Sequence, residues 1–185
     1  MDKPLGQMTE EELGKLFPIT LSDPDPRWAG RYQIEKEKIR NALGPDCIIS
    51  IEHIGSTAIP GLKAKPSIDI LVQITEVTPD QHIIEQLQQA AYNFIPRPEN
   101  PAPHMMFAKG YTKAGLKGQA FHIHVRYKGD WDEIYFRDYL IAHPEVAREY
   151  EELKIRLSME FKNDREGYTE AKTDFVKMVS GNTKR

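Results

Sequence analysis

The stretch His53–Val72, HIGSTAIPGLKAKPSIDILV, decides how the rest of the chain is read. It runs into SIDILVQI, Ser67–Ile74, whose nearly continuous apolar character marks a central strand covered on both sides. Side chains alternate along a strand, so Ile68, Ile70 and Val72 make one consistent core face while Ser67, Asp69 and Leu71 share the other. An ionised carboxylate in a central strand is costly to bury unless something pairs with it. Asp69 therefore faces a rim or pocket, or a structural Lys or Arg partner. Just upstream, CIISIEHI (Cys47–Ile54) is a second strand by its β-branched content, and Gly55-Ser56 follows it directly. A tight turn at that point can aim backbone N–H groups at one spot, and glycine lets an anion approach the backbone. Ser56 adds a hydroxyl, and Lys63 or Lys65 adds positive charge. The alternative is a plain turn.

Outward from these strands the punctuation is clear. Thr9 begins a short helix to about Phe17, with Glu12 completing a capping box. In SDPDPRW, Asp25 can cap and Pro26 suits the first position of a helix that runs to Leu43. That helix carries Trp28, Tyr32, Ile39 and Leu43 on one face and stops at Gly44-Pro45. Thr78 to Asn93 reads as another helix, capped by Thr78 with Pro79 at its first position. PRPENPAP reads as a proline-rich loop. His104–Lys109 and Gln119–Tyr127 read as strands flanking the turn GYTKAGLKGQ, and a hairpin is their simplest pairing. From Asp132 onward the chain is helical: Pro144 divides FRDYLIAH from an amphipathic helix carrying Val146, Tyr150, Leu153, Leu157 and Phe161. A last helix carries Tyr168, Phe175, Met178 and Val179 on one stripe. This is an α+β organisation, a mixed sheet flanked by helices with a helical C-terminal third.

The bulk properties bound the function. A chain of 185 residues suits one domain, here residues 19–185 after a helical extension over residues 1–18. With 39% hydrophobic and 29% charged residues it reads as soluble and globular. The net charge of -3 gives no reason to expect general nucleic-acid binding, although a local basic pocket is compatible with it. The single Cys47 excludes an internal disulfide and reads as a buried thiol. No apolar run approaches a membrane span, and the N-terminus lacks the order of a secretion signal. A cytoplasmic protein with no membrane partner is the expectation, and the oligomeric state is open.

The remaining chemistry lies in the histidines and the hairpin. In QAFHIHVRY an apolar face of Phe121, Ile123, Val125 and Tyr127 leaves His122, His124 and Arg126 on the other. Residues at i and i+2 stand about 7 Å apart along a strand, wide for one metal unless the side chains rotate toward each other. His53 and His104 flank the same sheet. Imidazole suits zinc, iron or manganese better than magnesium. Hydrogen bonding within the sheet is one reading; general acid/base work, His124 first, is the other. Lys109, Lys113 and Lys117 among Gly110, Gly115 and Gly118 read as a solvated loop tip or as a lid over a phosphate-bearing ligand. Arg137 and Asp138 read as a buttressing ion pair, and the charges from Arg148 to Lys162 as an exposed helix face.

Gly55-Ser56 followed at a distance by Asp69 is similar to the nucleotidyltransferase signature, in which a Gly-Gly or Gly-Ser pair precedes two acidic residues on alternate positions. More closely, EHIGSTAIPGLKAKPSIDILV resembles the GrpB-like family of small bacterial proteins, assigned to that fold. The likeness continues through DPRW, HIHV, FRDYLIAHPE and Tyr150 with Leu153-Lys154, and covers nearly the whole chain after about Ile19. It implies a nucleotidyltransferase-like sheet. By position it implies phosphate contacts at Gly55 and Ser56 and a first metal ligand, for Mg²⁺ or Mn²⁺, at Asp69; Lys63, Lys65 and His53 are read from the sequence as lying beside the phosphate. Leu71 stands where the second carboxylate belongs. Two ions about 3.5–4 Å apart need bridging carboxylates, whereas one Mg²⁺ keeps several waters and makes do with one or two. The expectation is a nucleotide or phosphorylated small molecule bound over Asp69, with His122 or His124 moving a proton in nucleotidyl or phosphoryl transfer to a small acceptor. The alternatives are a binding module that has lost the reaction, and a histidine-metal hydrolase built on His122, His124 and Asp69.

Overall fold

The structure, a computed structural model, describes residues 5–96 and 103–183. Five strands form one sheet: β1 (Ile48–Ile54), β2 (Ser67–Ile74), β3 (Asn93–Ile95), β4 (Met105–Thr112) and β5 (Gly115–Tyr127), in the order β1-β2-β5-β4-β3. Only β2 and β5 pair in parallel; β1 with β2, β4 with β5 and β3 with β4 are antiparallel. The sheet is therefore mixed, with β2 and β5 at its centre and a helix between them in sequence. That helix is α3 (Asp80–Gln89), preceded by α1 (Glu10–Leu16) and α2 (Arg27–Leu43). The C-terminal third is α4 (Asp132–Ala142), α5 (Pro144–Glu160), α6 (Arg165–Glu170) and α7 (Thr173–Thr183). Among the described residues no helix is long and apolar enough to cross a membrane.

The two faces of β2 part company as alternation requires. Ile68, Ile70, Val72 and Ile74 pack with Phe107, Ile123 and Val125 of the sheet and with Trp28, Tyr32 and Ile39 of α2 and Ile83 and Leu87 of α3. On the opposite face a second cluster joins Ile59 and Leu62, from the β1–β2 connection, to Phe136, Leu140, Tyr150 and Val179 of the C-terminal helices. Those helices overhang the polar half of the sheet. α1 is seated on them: a Cβ at Gly14 would lie 1.7 Å from the Asn163 carbonyl oxygen, so only glycine permits this approach. Its capping box of Thr9 and Glu12 forms as the sequence implies.

Four local expectations are corrected. The helix expected to reach Asn93 stops at Gln89, because Ala91 takes a positive φ of 66° and turns the chain into β3. Ala90 and Ala91 carry no helix-stopping signal; the packing of Tyr92 and Phe94 decides the break. The long hairpin turn is instead almost all strand, with Thr112 pairing to Gly115 across Lys113-Ala114. A bulge at Gly110 accommodates the extra residue, its φ of 89° and its contact with the Gln119 carbonyl both excluding a side chain. The last helix is broken at Ala171-Lys172, so Tyr168 packs with Ile19 and Leu157 while Phe175 and Val179 join the other cluster. Met178 is exposed. In α2 the helix begins at Arg27 rather than Pro26, with Asp25 accepting from the Arg27 N–H at 2.9 Å. Of PRPENPAP, residues 97–102 lie outside the described residues.

The apolar stripe of α2 also contains a charge that periodicity passes over. Glu35 is 2% exposed and sits between Tyr32 and Ile39 on the buried face. Its carboxylate accepts from the Tyr92 hydroxyl at 2.7 Å and the Lys109 ammonium at 2.6 Å, with Lys38 at 3.1 Å. Burial works against its ionisation, and these donors outweigh it, so the carboxyl stays below its ordinary range. Lys109 is thereby a tie between β4 and α2, not part of a lid. Removing one member of a buried, fully bonded set leaves the rest without partners. Glu35→Ala is expected to lower unfolding stability by about 3 kcal/mol, read from urea midpoints at neutral pH; a loss below about 1 kcal/mol would mean that water replaces the carboxylate freely.

Candidate functional site

The parallel register of β2 and β5 builds the site. Asp69 lies opposite His122 and Leu71 opposite His124, while on the other side Asp69 lies opposite Ile54 at the end of β1. The two histidines that alternation sets apart converge on one oxygen. Asp69 Oδ1 is 3.0 Å from His122 Nδ1 and 3.6 Å from His124 Nε2. A carboxylate only accepts, so His122 carries its proton on Nδ1, and its Nε2 faces the Tyr111 hydroxyl at 2.8 Å. The neutral ring accepts that phenolic proton. Tyr111 and His122 stack with centroids 5.4 Å apart, and the Ser67 hydroxyl lies 3.3 Å from the same Nδ1. Burial opposes a charge on Asp69, but the hydrogen bonds from His122 and then His124 outweigh it and hold its carboxyl well below the usual range. Burial likewise lowers His122 below an ordinary histidine, against the pull of Asp69.

Gly55 has φ 70°, and a Cβ there would come within 2.6 Å of Asp69 Oδ2. The anion that this glycine admits to the backbone is thus the protein's own carboxylate. Ser56 opens a single 3₁₀ turn, Ser56–Ala58, and lies beside Tyr150 of α5. Burial pushes the Tyr150 phenol up to about 12, and the Ser56 hydroxyl works the other way. Of the residues grouped around the phosphate position on sequence grounds, Gly55, Ser56 and Lys65 line one cleft with Asp69, His122 and His124. His53 and Lys63 are placed elsewhere. His53 pairs with Ile70, hence on the core face, where it stacks on Tyr32 at 4.7 Å and shares a 3.0 Å hydrogen bond with Thr57 Oγ1. Lys63 reaches outward to Asp23. Arg137 and Asp138 pair at 2.7 Å as expected, and Arg137 also reaches Glu52 and donates to the His53 carbonyl, bracing the end of β1.

The cleft has a volume of about 670 Å³, and the C-terminal helices supply its far wall. Phe136 comes from α4, Tyr150 and Lys154 from α5, Arg165 and Tyr168 from α6, and Lys172 from the break before α7. Lys65 and Lys172 both hold their ammonium groups over the Tyr168 ring, at 5.3 and 4.2 Å from its centroid. Lys154 is 1% exposed, a correction to the reading of α5 charges as a solvated face; it donates to the Lys63 carbonyl and lies over Tyr150. Among the described residues no carboxylate comes within ion-pair distance of Lys65, Lys154, Arg165 or Lys172. The three lysines titrate accordingly. Burial brings Lys65 down to about 8, with Arg165 adding to it and Asp69 opposing. Burial and then Lys65 bring Lys172 to about 8, and burial brings Lys154 to about 7, with Lys172 adding to it against Glu151. Glu166 and Glu170 are on the cleft's exposed rim.

In the cleft the sheet offers a divalent cation a single carboxylate. Oδ1 of Asp69 is engaged by two imidazoles, Oδ2 lies against Gly55, and Leu71 is fully buried at the position of the second carboxylate. Among the described residues no three His, Cys, Asp or Glu side chains converge as a metal-holding group. Sequence patterning alone located Asp69, both histidines and the Gly-Ser turn. It passed over Tyr111, Arg165 and Lys172, and it took Tyr150 and Tyr168 as plain core.

Residues 18–181 match the GrpB protein family. Over 165 residues the chain is 40% identical to a UPF0157 protein of Pseudomonas aeruginosa, covering 88% of this chain but only 66% of that relative's length. The crystal structure of the conserved protein GrpB from Enterococcus faecalis superposes with a TM-score of 0.75 at 25% identity, covering 89% of this chain and 96% of that one. The Cid1 poly(U) polymerase, in a crystal structure with Mg and 3'-dATP, reaches a TM-score of 0.53 at 12% identity over 82% of this chain and 49% of its own. At that identity the likeness shows the fold alone, a nucleotidyltransferase-like one.

His53, set apart from the cleft, gives a pH prediction. Burial pushes it down to about 4, with Arg137 adding to that and Asp69 opposing. The unfolded chain binds that proton from about pH 6.5 downward and the native chain does not. The contribution of His53 is therefore complete above about 6.5 and is lost progressively as pH falls toward 4. His53→Gln is expected to flatten the fall in urea midpoint between about pH 7 and about pH 5; an unchanged slope would show that His53 is protonated in the native state.

Proposed function

We propose, from the premise that this chain belongs to the GrpB protein family and carries the nucleotidyltransferase-like fold, that its cleft binds a nucleotide or another phosphorylated small molecule. One observation carries the reading. Lys65, Lys154, Arg165 and Lys172 line a common cavity, and burial lowers all three lysines, none of which has a carboxylate at ion-pair distance among the described residues. A folded protein keeps such a like-charge group at a cost in stability. A phosphoryl group entering the cleft would remove that cost, accepting from the ammonium and guanidinium groups and from the Ser56 hydroxyl. The aromatic rings of Phe136, Tyr150 and Tyr168 give the same cavity the apolar surface typical of small-molecule sites.

A second reading, transfer of a phosphoryl or nucleotidyl group to a small acceptor, is favoured by the hydrogen-bonded chain Asp69–His122–Tyr111. Asp69 would fix the ring and stabilise it when charged, as a carboxylate does beside a catalytic imidazole. In that reaction an acceptor hydroxyl gives its proton to His124, beside the same carboxylate, because both ring nitrogens of His122 are already engaged, while its oxygen forms the new P–O bond. The former P–O bond breaks, and its electron pair leaves with the departing phosphate. Binding alone needs the cations; transfer also needs the imidazoles.

The test is a thermal-shift panel of the four NTPs on the native chain, Lys65→Ala and Ser56→Ala. A nucleotide at a hundred times its Kd is expected to add about 2.7 kcal/mol of stability to the native chain, with a smaller shift in each variant. No shift with any nucleotide or with inorganic triphosphate would remove the reading. Release of diphosphate in the presence of acceptor, abolished by His124→Ala with the thermal shift retained, would establish transfer over binding.

A further inference from the structure

We propose that the cleft takes a di- or triphosphate without a divalent cation, using Lys65, Lys172, Arg165 and Lys154 in place of the metal. This rests on the reading of the cleft as a phosphate site and goes beyond it in two respects, the charge class of the ligand and the source of the neutralising charge.

The arrangement of the side chains supports both. Where metals neutralise a polyphosphate, carboxylates project into the site to hold them. Here the one carboxylate that the sheet contributes, Asp69, has Oδ1 beside His122 and His124, and its Oδ2 lies where a side chain at Gly55 would stand. The neighbouring position that would supply a second carboxylate is Leu71, fully buried. A dication placed at Asp69 would also meet the field of the cations that line the cavity. The same cations suit an anion. Lys65 and Lys172 are held over one ring, at 5.3 and 4.2 Å from the Tyr168 centroid, which fixes two ammonium groups as neighbours on one wall. A single phosphoryl group carries at most about two negative charges, too few for four cations. A chain of two or three phosphoryl groups brings the matching charge. Of the other carboxylates lining the cleft, Glu166 and Glu170 are exposed to water and far less able to cancel charge on its floor, and half-buried Glu133 of α4 forms no ion pair with any of the four cations among the described residues.

Isothermal titration of the full chain with inorganic triphosphate, in EDTA and then in excess MgCl₂, tests this. Binding is expected in EDTA and is expected to weaken when Mg²⁺ is added, because Mg²⁺ and the ammonium groups compete for the same oxygens. Lys172→Met is expected to weaken binding in EDTA by about tenfold or more, and Lys172→Arg to retain it. The melting temperature of each variant separates lost binding from lost fold. Binding that requires Mg²⁺, or that survives Lys172→Met unchanged, would overturn the inference while the phosphate reading stands. Inorganic monophosphate binding as tightly as triphosphate would overturn the assigned charge class. No binding of triphosphate or ATP in either buffer would remove both.

Discussion

The parallel pairing of β2 with β5 is the constraint on which the rest depends. Side chains alternate with a period of two, so a slip of one residue would carry Asp69 to the face now filled by Ile68, Ile70 and Val72. Those three isoleucine and valine side chains, with Ile74 and Ile123, have no solvent exposure. Moving them into the cleft would expose the apolar surface that holds α2 and α3 to the sheet. The register is therefore set by the oily face and exploited on the polar one. Core packing places Asp69 beside His122 without any requirement from the cleft itself.

The polar face is then finished by elements that are distant in sequence. A sheet face bearing Asp69, His122 and His124 cannot be sealed by an apolar layer, because their polar groups would lose water without full replacement. The C-terminal helices accordingly touch the sheet through Ile59, Leu62, Phe136 and Leu140 at one end and leave a cavity over Asp69 at the other. The break at Ala171-Lys172 brings a lysine to that cavity where a continuous helix would have continued its stripe. The overhang also explains why the lysines titrate low. They are removed from water by the helices that present them, and burial is the largest influence on each.

Two carboxylates show how environment decides the role of a buried charge. Glu35 is shut into the core between α2 and β4 and is matched by donors from three elements, so it ties the fold together. Asp69 is 29% exposed at the cleft, matched by imidazoles that can themselves change charge. The first is a structural tie, and the second is the centre of a site.

The chain alone determined what lies within single elements. β2 was legible to its end residues, because Ile68, Ile70, Leu71, Val72 and Ile74 give it a nearly continuous apolar run. The separation of Asp69 from its apolar neighbours, the pairing of His122 with His124 and the Thr9 capping box follow from spacing in the same way, and the family resemblance adds the gap at Leu71. Tertiary structure decided whatever depends on contact between elements. Ala90-Ala91 has no stop signal, and only the packing of Tyr92 under Glu35 turns the chain into β3. Lys154 reads as one charge among many along α5 until the fold buries it. Lys172 and Arg165 have no motif at all; packing brings them to a cavity whose floor is roughly a hundred residues away in sequence. Periodicity reports which neighbours share a face of one helix or strand, and it carries no information on which faces meet. The carboxylate and the imidazoles were therefore visible in the sequence, and the cations that complete the cleft were not.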